Sequence, residues 1–177
     1  GDSIGWVILG GVIFNASNIL LSASISLAGM SVAFPLGVGI ALVLGVIVNY
    51  LGIPTGNPLL LFGGVALIVI AIICNGVASG KMQKGEESRK NNKKGIIIAL
   101  IAGVLMSLFY RFVVKGMDVE NFNSPAIGMM TPYSAIFVFS IGVLLSNFVF
   151  NTLVMKCPFV GEKVSYSQYF KGNTKPH

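Results

Sequence analysis

Charged residues are scarce in this 177-residue chain, and the scarcity decides its class. Asp, Glu, Lys and Arg make up 10% of the residues, whereas hydrophobic residues make up 54% and the mean hydropathy is +0.84. A soluble domain carries about 25% charged residues. The shortage therefore excludes an ordinary soluble domain and indicates an integral membrane protein. Ten-residue stretches that alternate apolar and polar residues do not occur, which favours helices over a transmembrane β-barrel.

Cysteine and histidine are also few. The chain has two cysteines, Cys74 and Cys157, and one histidine, His177. Two isolated cysteines form no metal-ligand pattern, and nothing in their placement favours a disulfide. Paired carboxylates within the apolar segments and a Ser-His-Asp order are missing as well. We therefore expect no metal, no cofactor and no enzymatic activity.

Five apolar segments are long enough to cross a membrane, which takes about 20 residues. They predict an all-α integral membrane bundle with helices at about 4–27, 32–51, 58–77, 95–114 and 132–155. A charged linker at 79–94 separates three helices in 1–78 from two helices and a polar tail in 95–177.

The basic residues follow the predicted topology. Ten of the twelve Lys and Arg lie in the linker or the tail, so both are expected in the cytoplasm. The net charge of +6 is thereby explained without a nucleic-acid partner.

A stretch without any charge, residues 15–45, suggests a binding cavity. Asn15, Asn18 and Ser22 recur at i, i+3 and i+7 and so share one face of the first helix. The connection around Leu27–Ser31 is so short that the first two helices are expected to be antiparallel neighbours. We interpret the stripe as candidate substrate-binding residues lining a hydrated cavity. The alternative is that its amides bond to neighbouring helices, as membrane Asn often does.

Small residues near this stripe predict close helix contacts. Gly37, Ala41 and Gly45 recur at i, i+4 and i+8, and Gly103 belongs to a second such series on the fourth helix. Pro35 is expected to shape the second helix. Arg111 is the one charge inside a predicted span. Two interpretations of Arg111 are open. The charge has a functional role within the membrane, or the side chain simply extends to the nearby membrane surface.

A family resemblance rests on an ordered series of stretches: GGVIFNASNILLSASISLAGMSVAFPLGVGIALVLGVIVNYLGIP (10–54), the basic linker, IAGVLMSLFYRFV (101–113) and VGEKVSYSQYFKG (160–172). The series resembles the ten-helix permeases of the drug/metabolite transporter superfamily, especially the ureide permeases and the glucose/rhamnose-type sugar permeases. The resemblance covers nearly the whole chain and maps it onto helices three to seven. The chain would then be an internal fragment that closes the first of two inverted halves and opens the second. Asn18 matches the family Asn that follows the Gly-rich start of helix three, and 29–32 match the turn into helix four.

The resemblance implies a secondary transporter for a small neutral polar metabolite such as a sugar, ureide or nucleobase, usually moved with protons. The expected partners are this substrate, membrane lipid and the remaining helices of the same protein, in a multi-pass protein of the cell membrane; homodimerisation is left open. No Asp or Glu lies in a predicted span, so a proton-carrying carboxylate would lie in helices outside these residues. Residues 76–82 lack the spacing and the hydroxyl of a phosphate-binding loop, so no ATP site is expected.

Two alternatives remain open at this point. One is a structural or assembly membrane subunit, in which the Asn stripe packs against helices. The other is a drug-type efflux permease, which would need more aromatic lining than the first two helices supply.

Overall fold

The computed structural model describes residues 2–82 and 86–172. Its regular structure within these ranges is helical and comprises α1 (Asp2–Ala28), α2 (Met30–Gly52), α3 (Pro58–Met82), α4 (Glu86–Gly116), α5 (Pro132–Lys156) and α6 (Tyr166–Lys171). An isolated bridge between Met117 and Met130 closes the α4–α5 loop. The predicted all-α class is confirmed.

Five of the described helices are long and apolar enough to cross a membrane. The candidate spans are Asp2–Ala28, Met30–Gly52, Pro58–Ser79, Asn91–Gly116 and Pro132–Lys156. By helix length and composition, the chain is a multi-pass membrane protein.

The charged residues 79–94 belong largely to helices. The third helix continues to Met82, and the fourth begins at Glu86. Glu, Lys and Arg are good helix formers, so a run of them ends an apolar span without ending the helix. The sequence-based bounds at 77 and 95 therefore mark the ends of the apolar segments, not of the helices.

Consecutive helices run in alternating directions. Gly95 of α4 lies against Ala28, and Gly116 lies against Ser3, so α1 and α4 are antiparallel. We call the two ends of the bundle the Gly29 end and the Gly52 end. Residues 158–160, just past α5, lie beside the last turns of α1. The start of the α4 span and residues 158–160 therefore lie at the same end of the bundle, the Gly29 end, as the predicted topology requires.

The connection between α1 and α2 is the single residue Gly29. Its φ of 81° is a left-handed conformation that glycine adopts without strain. Leu21 packs on Gly37 close to this turn, so the two helices are antiparallel neighbours there. Further from the turn they diverge, because α4 packs extensively against both of them. The third helix makes its contacts with α2.

Candidate substrate cavity

A cavity of about 740 Å³ lies where α1 and α2 diverge, with α4 as its third wall. Phe14 comes from α1, Asn49 from α2, and Ser107 from α4. Ile53 and Val119 line its part nearest the Gly52 end. By the distribution of basic residues, this is the end predicted to be external.

The spacing of small residues explains why the cavity forms. A Cβ at Gly103 would lie 2.7 Å from the Gly37 carbonyl oxygen, so α2 and α4 touch closely at this crossing. Two turns later, a Cβ at Gly45 would have no neighbouring atom within 4 Å. Gly45 therefore borders the cavity, whereas Gly37 is buried at the crossing; Ala41, between them, is buried and also lines the cavity. The same small-residue series thus provides both the contact and the opening.

The cavity wall is largely apolar and carries several aromatic rings. Phe14 and Phe109 line it with their ring centroids 5.0 Å apart, and both rings contact Phe139 of α5. The uncharged polar groups at its surface are those of Asn49, Tyr50, Thr55, Ser107 and Tyr110. None of the described residues that line it is acidic. The wall offers flat apolar surface together with uncharged hydrogen-bonding groups.

Arg111 ties α4 to the end of α2. Its Nη1 donates a hydrogen bond to the Val48 carbonyl oxygen at 3.0 Å, and the guanidinium lies beside Gly52. The last turn of α2 contains no basic residue of its own. A cation near the C-terminal carbonyls of a helix is stabilising, so Arg111 of α4 supplies the positive charge that the last turn of α2 lacks. This contact gives the side chain a structural partner.

The second cation of the cavity lining, Lys115, is held by aromatic rings. Its Nζ lies 4.3 Å from the ring centroid of Trp6, which stacks on Phe112 at 5.8 Å. Such a cation–π contact contributes about 0.5–1 kcal/mol at an exposed site. Both cations of the cavity therefore also bridge neighbouring helices.

The loop after α4 is held together by one carboxylate. Asp118 accepts hydrogen bonds from the backbone N–H groups of Glu120, Asn121 and Ala126. These bonds, that from Ala126 foremost, lower the pKa of the Asp118 carboxyl. The Asp118 N–H in turn donates to the Met130 carbonyl, which joins the two ends of the loop.

The predicted polar stripe lies on the α5 side of α1. Asn15 is buried, and its Nδ2 donates to the Ser146 hydroxyl at 2.9 Å and to the Val143 carbonyl at 3.3 Å. Ser22 lines a smaller cavity of about 310 Å³ between α1, α5 and residues 158–160. Neither residue lines the large cavity.

Asn18 lies between these two positions and is half-buried. The Nδ2 of Asn18 donates to the backbone carbonyl of Phe14 at 3.1 Å. The backbone carbonyl of Asn18 accepts a hydrogen bond from the Ser22 hydroxyl. The large cavity does not include Asn18 in its lining. Substrate binding by Asn15, Asn18 and Ser22 stays a prediction.

Two serines of α1 join it to α4. Ser17 donates to the Ala102 carbonyl at 3.0 Å, and Ser24 donates to the Gly95 carbonyl at 2.7 Å. Both serines are fully buried. With Gly10, which lies against Phe109 and Val113, they form a series of small residues seven apart. That spacing was visible in the sequence and marks the face that α4 covers.

Pro35 lies six residues into α2, within the helix. Because proline has no N–H, the Ser31 carbonyl lacks the hydrogen bond that residue 35 would otherwise donate to it. The first turns of α2 are therefore less strongly bonded than the rest.

Comparison with known proteins gives no relative. Protein-family models, curated proteins and solved structures were all searched, and none matches the chain. The described residues contain no cluster of side chains suited to bind a metal ion, and Cys74 and Cys157 are exposed free thiols. The likeness to drug/metabolite permeases accordingly stays a prediction.

Proposed function

We propose that this chain forms the substrate-binding part of a secondary transporter for a small neutral polar metabolite, of the sugar, ureide or nucleobase class. The observation that supports it is the cavity between α1, α2 and α4. Its volume of about 740 Å³ lies within the range of small-molecule sites.

The lining favours a substrate with a flat apolar face and a polar edge. The aromatic surface that Phe14 and Phe109 contribute to the lining suits a sugar C–H face or a planar base. The Asn49 amide and the Tyr110 hydroxyl are proposed to hydrogen-bond the substrate, and the Ser107 hydroxyl, which donates to the Val104 carbonyl at 2.6 Å, is proposed to accept a further hydrogen bond from it. Because no carboxylate lines the cavity among the described residues, a cationic substrate is disfavoured. Proton coupling is proposed to use a carboxylate from elsewhere in the protein.

Substrate passage requires α2 to move relative to α4. The close crossing of Gly37 and Gly103 would serve as the pivot, and the bond from Arg111 to Val48 as a contact that breaks and re-forms. A transporter that alternates between two open states needs such a fixed contact beside a reversible one.

The test is uptake of labelled sugars, ureides and nucleobases by the complete protein in proteoliposomes, with and without a proton gradient. Asn49→Ala and Ser107→Ala are expected to raise the KM about two- to tenfold, the effect of losing one hydrogen bond. Asn75→Ala is the matched control, since Asn75 is exposed and donates to its own helix at Ala71. If Asn18→Ala abolishes uptake and Asn49→Ala leaves it unchanged, the binding site lies on the α5 side instead.

Export of neutral apolar compounds is a second candidate. It is favoured by the aromatic share of the lining: Phe14, Tyr50, Phe109 and Tyr110. Uptake of a polar metabolite that neutral apolar compounds fail to inhibit would exclude this candidate. Absence of transport for both classes, by folded protein, would favour a structural or assembly subunit.

A further inference from the structure

The segment after α5 turns back along the helix it has just left. Val164 donates its N–H to the Met155 carbonyl, so the chain has returned to the last turn of α5. The Tyr166 hydroxyl then shares a hydrogen bond of 2.6 Å with the Thr152 hydroxyl and lies 3.5 Å from the Phe148 carbonyl. With a rise of about 1.5 Å per residue, Thr152 lies about 6 Å inside the helix end at Lys156. The Tyr166 side chain therefore lies beside the last turns of the spanning helix α5 and not beyond its end.

The short helix α6 is fixed in this position. Ser165 begins it with a capping box, in which its hydroxyl accepts from the Gln168 N–H and the Gln168 side chain accepts from the Ser165 N–H. Tyr169 and Phe170 pack edge to face at 5.5 Å, yet their exposed fractions are 69% and 79%. Two large rings thus lie side by side with most of their surface uncovered by the described chain.

The charges around these rings have one predominant sign. Lys156, Lys163 and Lys171 flank the segment, and Glu162 is its one acidic residue. Aromatic rings concentrate at the boundary between lipid chains and headgroups, where lysine side chains reach the phosphates. An anionic leaflet attracts such lysines, and it is the cytoplasmic leaflet that carries this charge.

We propose that residues 163–171, together with Lys156 at the end of α5, are a membrane-interface anchor that binds the anionic lipid surface at the Gly29 end of the bundle. Tyr169 and Phe170 insert among the lipid chains, and the three lysines contact lipid phosphates. Near the same end, α5 exposes the apolar side chains of Phe148, Val149 and Leu153. The anchor fixes the end of α5 at a defined depth, whatever the protein transports.

The test uses tryptophan fluorescence of the complete protein in vesicles. Trp6 is the single tryptophan among these 177 residues, so changing Trp6, and any tryptophan that the complete protein carries outside them, to Phe provides a background into which Phe170→Trp is introduced. The new tryptophan is expected to emit at shorter wavelength than a water-exposed one. Lipids brominated near the headgroup should quench it more strongly than lipids brominated near the bilayer centre. Asn123→Trp, at an exposed loop position, is the reference for a water-exposed ring.

A second measurement tests the charge. Replacing phosphatidylcholine vesicles by vesicles containing phosphatidylglycerol should reduce quenching of Phe170→Trp by acrylamide, a neutral aqueous quencher that an anionic surface does not repel. Changing Lys156, Lys163 and Lys171 to Gln should remove the difference between the two vesicles. Strong quenching by acrylamide without quenching by brominated lipid would overturn the proposal. Protection from both quenchers would also overturn it, because a protein surface and not lipid would then cover the rings.

Discussion

The two sides of α4 are packed in different ways. Toward α1, buried Ser17 and Ser24 donate hydrogen bonds to α4 carbonyls. Toward α2, the contacts are apolar, with one close crossing at Gly37 and one hydrogen bond at Arg111. Helices in lipid gain little from the hydrophobic effect and rely on close contact and hydrogen bonds. The comparison suggests that α1, α4 and α5 form a fixed unit and that α2 and α3 form the part able to move.

The largest expected effect comes from filling the close contact between α1 and α5. A Cβ at Gly142 would lie 2.6 Å from the Ile8 carbonyl oxygen, and backbone cannot move aside as a side chain can. Gly142→Ala should therefore lower the free energy of unfolding by about 1–3 kcal/mol. Unfolding in mixed detergent micelles, followed by circular dichroism, measures the loss.

The matched control for that substitution lies on the other side of the comparison. A Cβ at Gly64 of α3 would have no neighbour within 4 Å, so Gly64→Ala should leave stability unchanged or slightly raised. Equal losses for the two variants would show that the close contact at Gly142 is not what makes its substitution costly.

A smaller effect is expected from the polar contact of Asn15. Removing its amide with Asn15→Ala, or its partner with Ser146→Ala, should reveal a coupling energy of about 0.6 kcal/mol, with an upper value of about 1.7 kcal/mol. The same unfolding assay on both single variants and the double variant gives this energy. Strictly additive losses would show that the 2.9 Å bond contributes nothing to the fixed unit.

The contact of Arg111 should have a still smaller and more local effect. Loss of a cation at a helix C-terminus costs about 0.3–1 kcal/mol, which is about a two- to fivefold change in local opening. Arg111→Gln should therefore speed amide hydrogen exchange over 49–53 by this factor. Lys115→Gln is the control, because Lys115 lines the cavity without bonding α2. Unchanged exchange in Arg111→Gln would remove this residue as the reversible contact.

The smallest effect concerns the loop at the Gly52 end and depends on pH. The pKa of Asp118 is lowered from 3.8 by its backbone hydrogen bonds, so its carboxylate stabilises the folded loop above pH 3.8. This contribution is lost as pH falls through the lowered pKa of the folded state.

Amide exchange of Ala126 should accordingly be slow from pH 7 to about pH 4 and, after correction for intrinsic rates, faster below. Asp118→Asn should remove this pH dependence. A loop with the same protection in the Asn variant at every pH would show that the carboxylate charge is not what holds it.

Much of the fold can be predicted from the sequence, because the length of an apolar segment depends only on consecutive residues. All five spanning helices were predicted, and the short connection at Gly29 correctly indicated an antiparallel pair near the turn. The helix ends at Met82 and Glu86 were missed, since charge marks the end of the apolar span and not of the helix.

The cavity was harder to predict, because it depends on which helices meet. The i, i+3, i+7 spacing places Asn15 and Ser22 on one face of α1 but does not say whether α2 or α5 covers it. Asn49 and Tyr110 share no spacing pattern in the sequence, because they come to line one cavity only when α2 and α4 pack side by side in the same direction. The seven-residue spacing of Gly10, Ser17 and Ser24 is a signal from which the α1–α4 contact could have been predicted.

The bonds that α1 makes with its neighbours have a consequence for how this protein can change over time. Ser17, Ser24 and Asn15 bond to the carbonyls of Ala102, Gly95 and Val143, which every amino acid possesses. Substitutions on α4 and α5 can thus accumulate without breaking these bonds, provided that they add no bulk. Divergent relatives could keep the pairing of α1 while losing recognisable sequence, with small size as the property under selection.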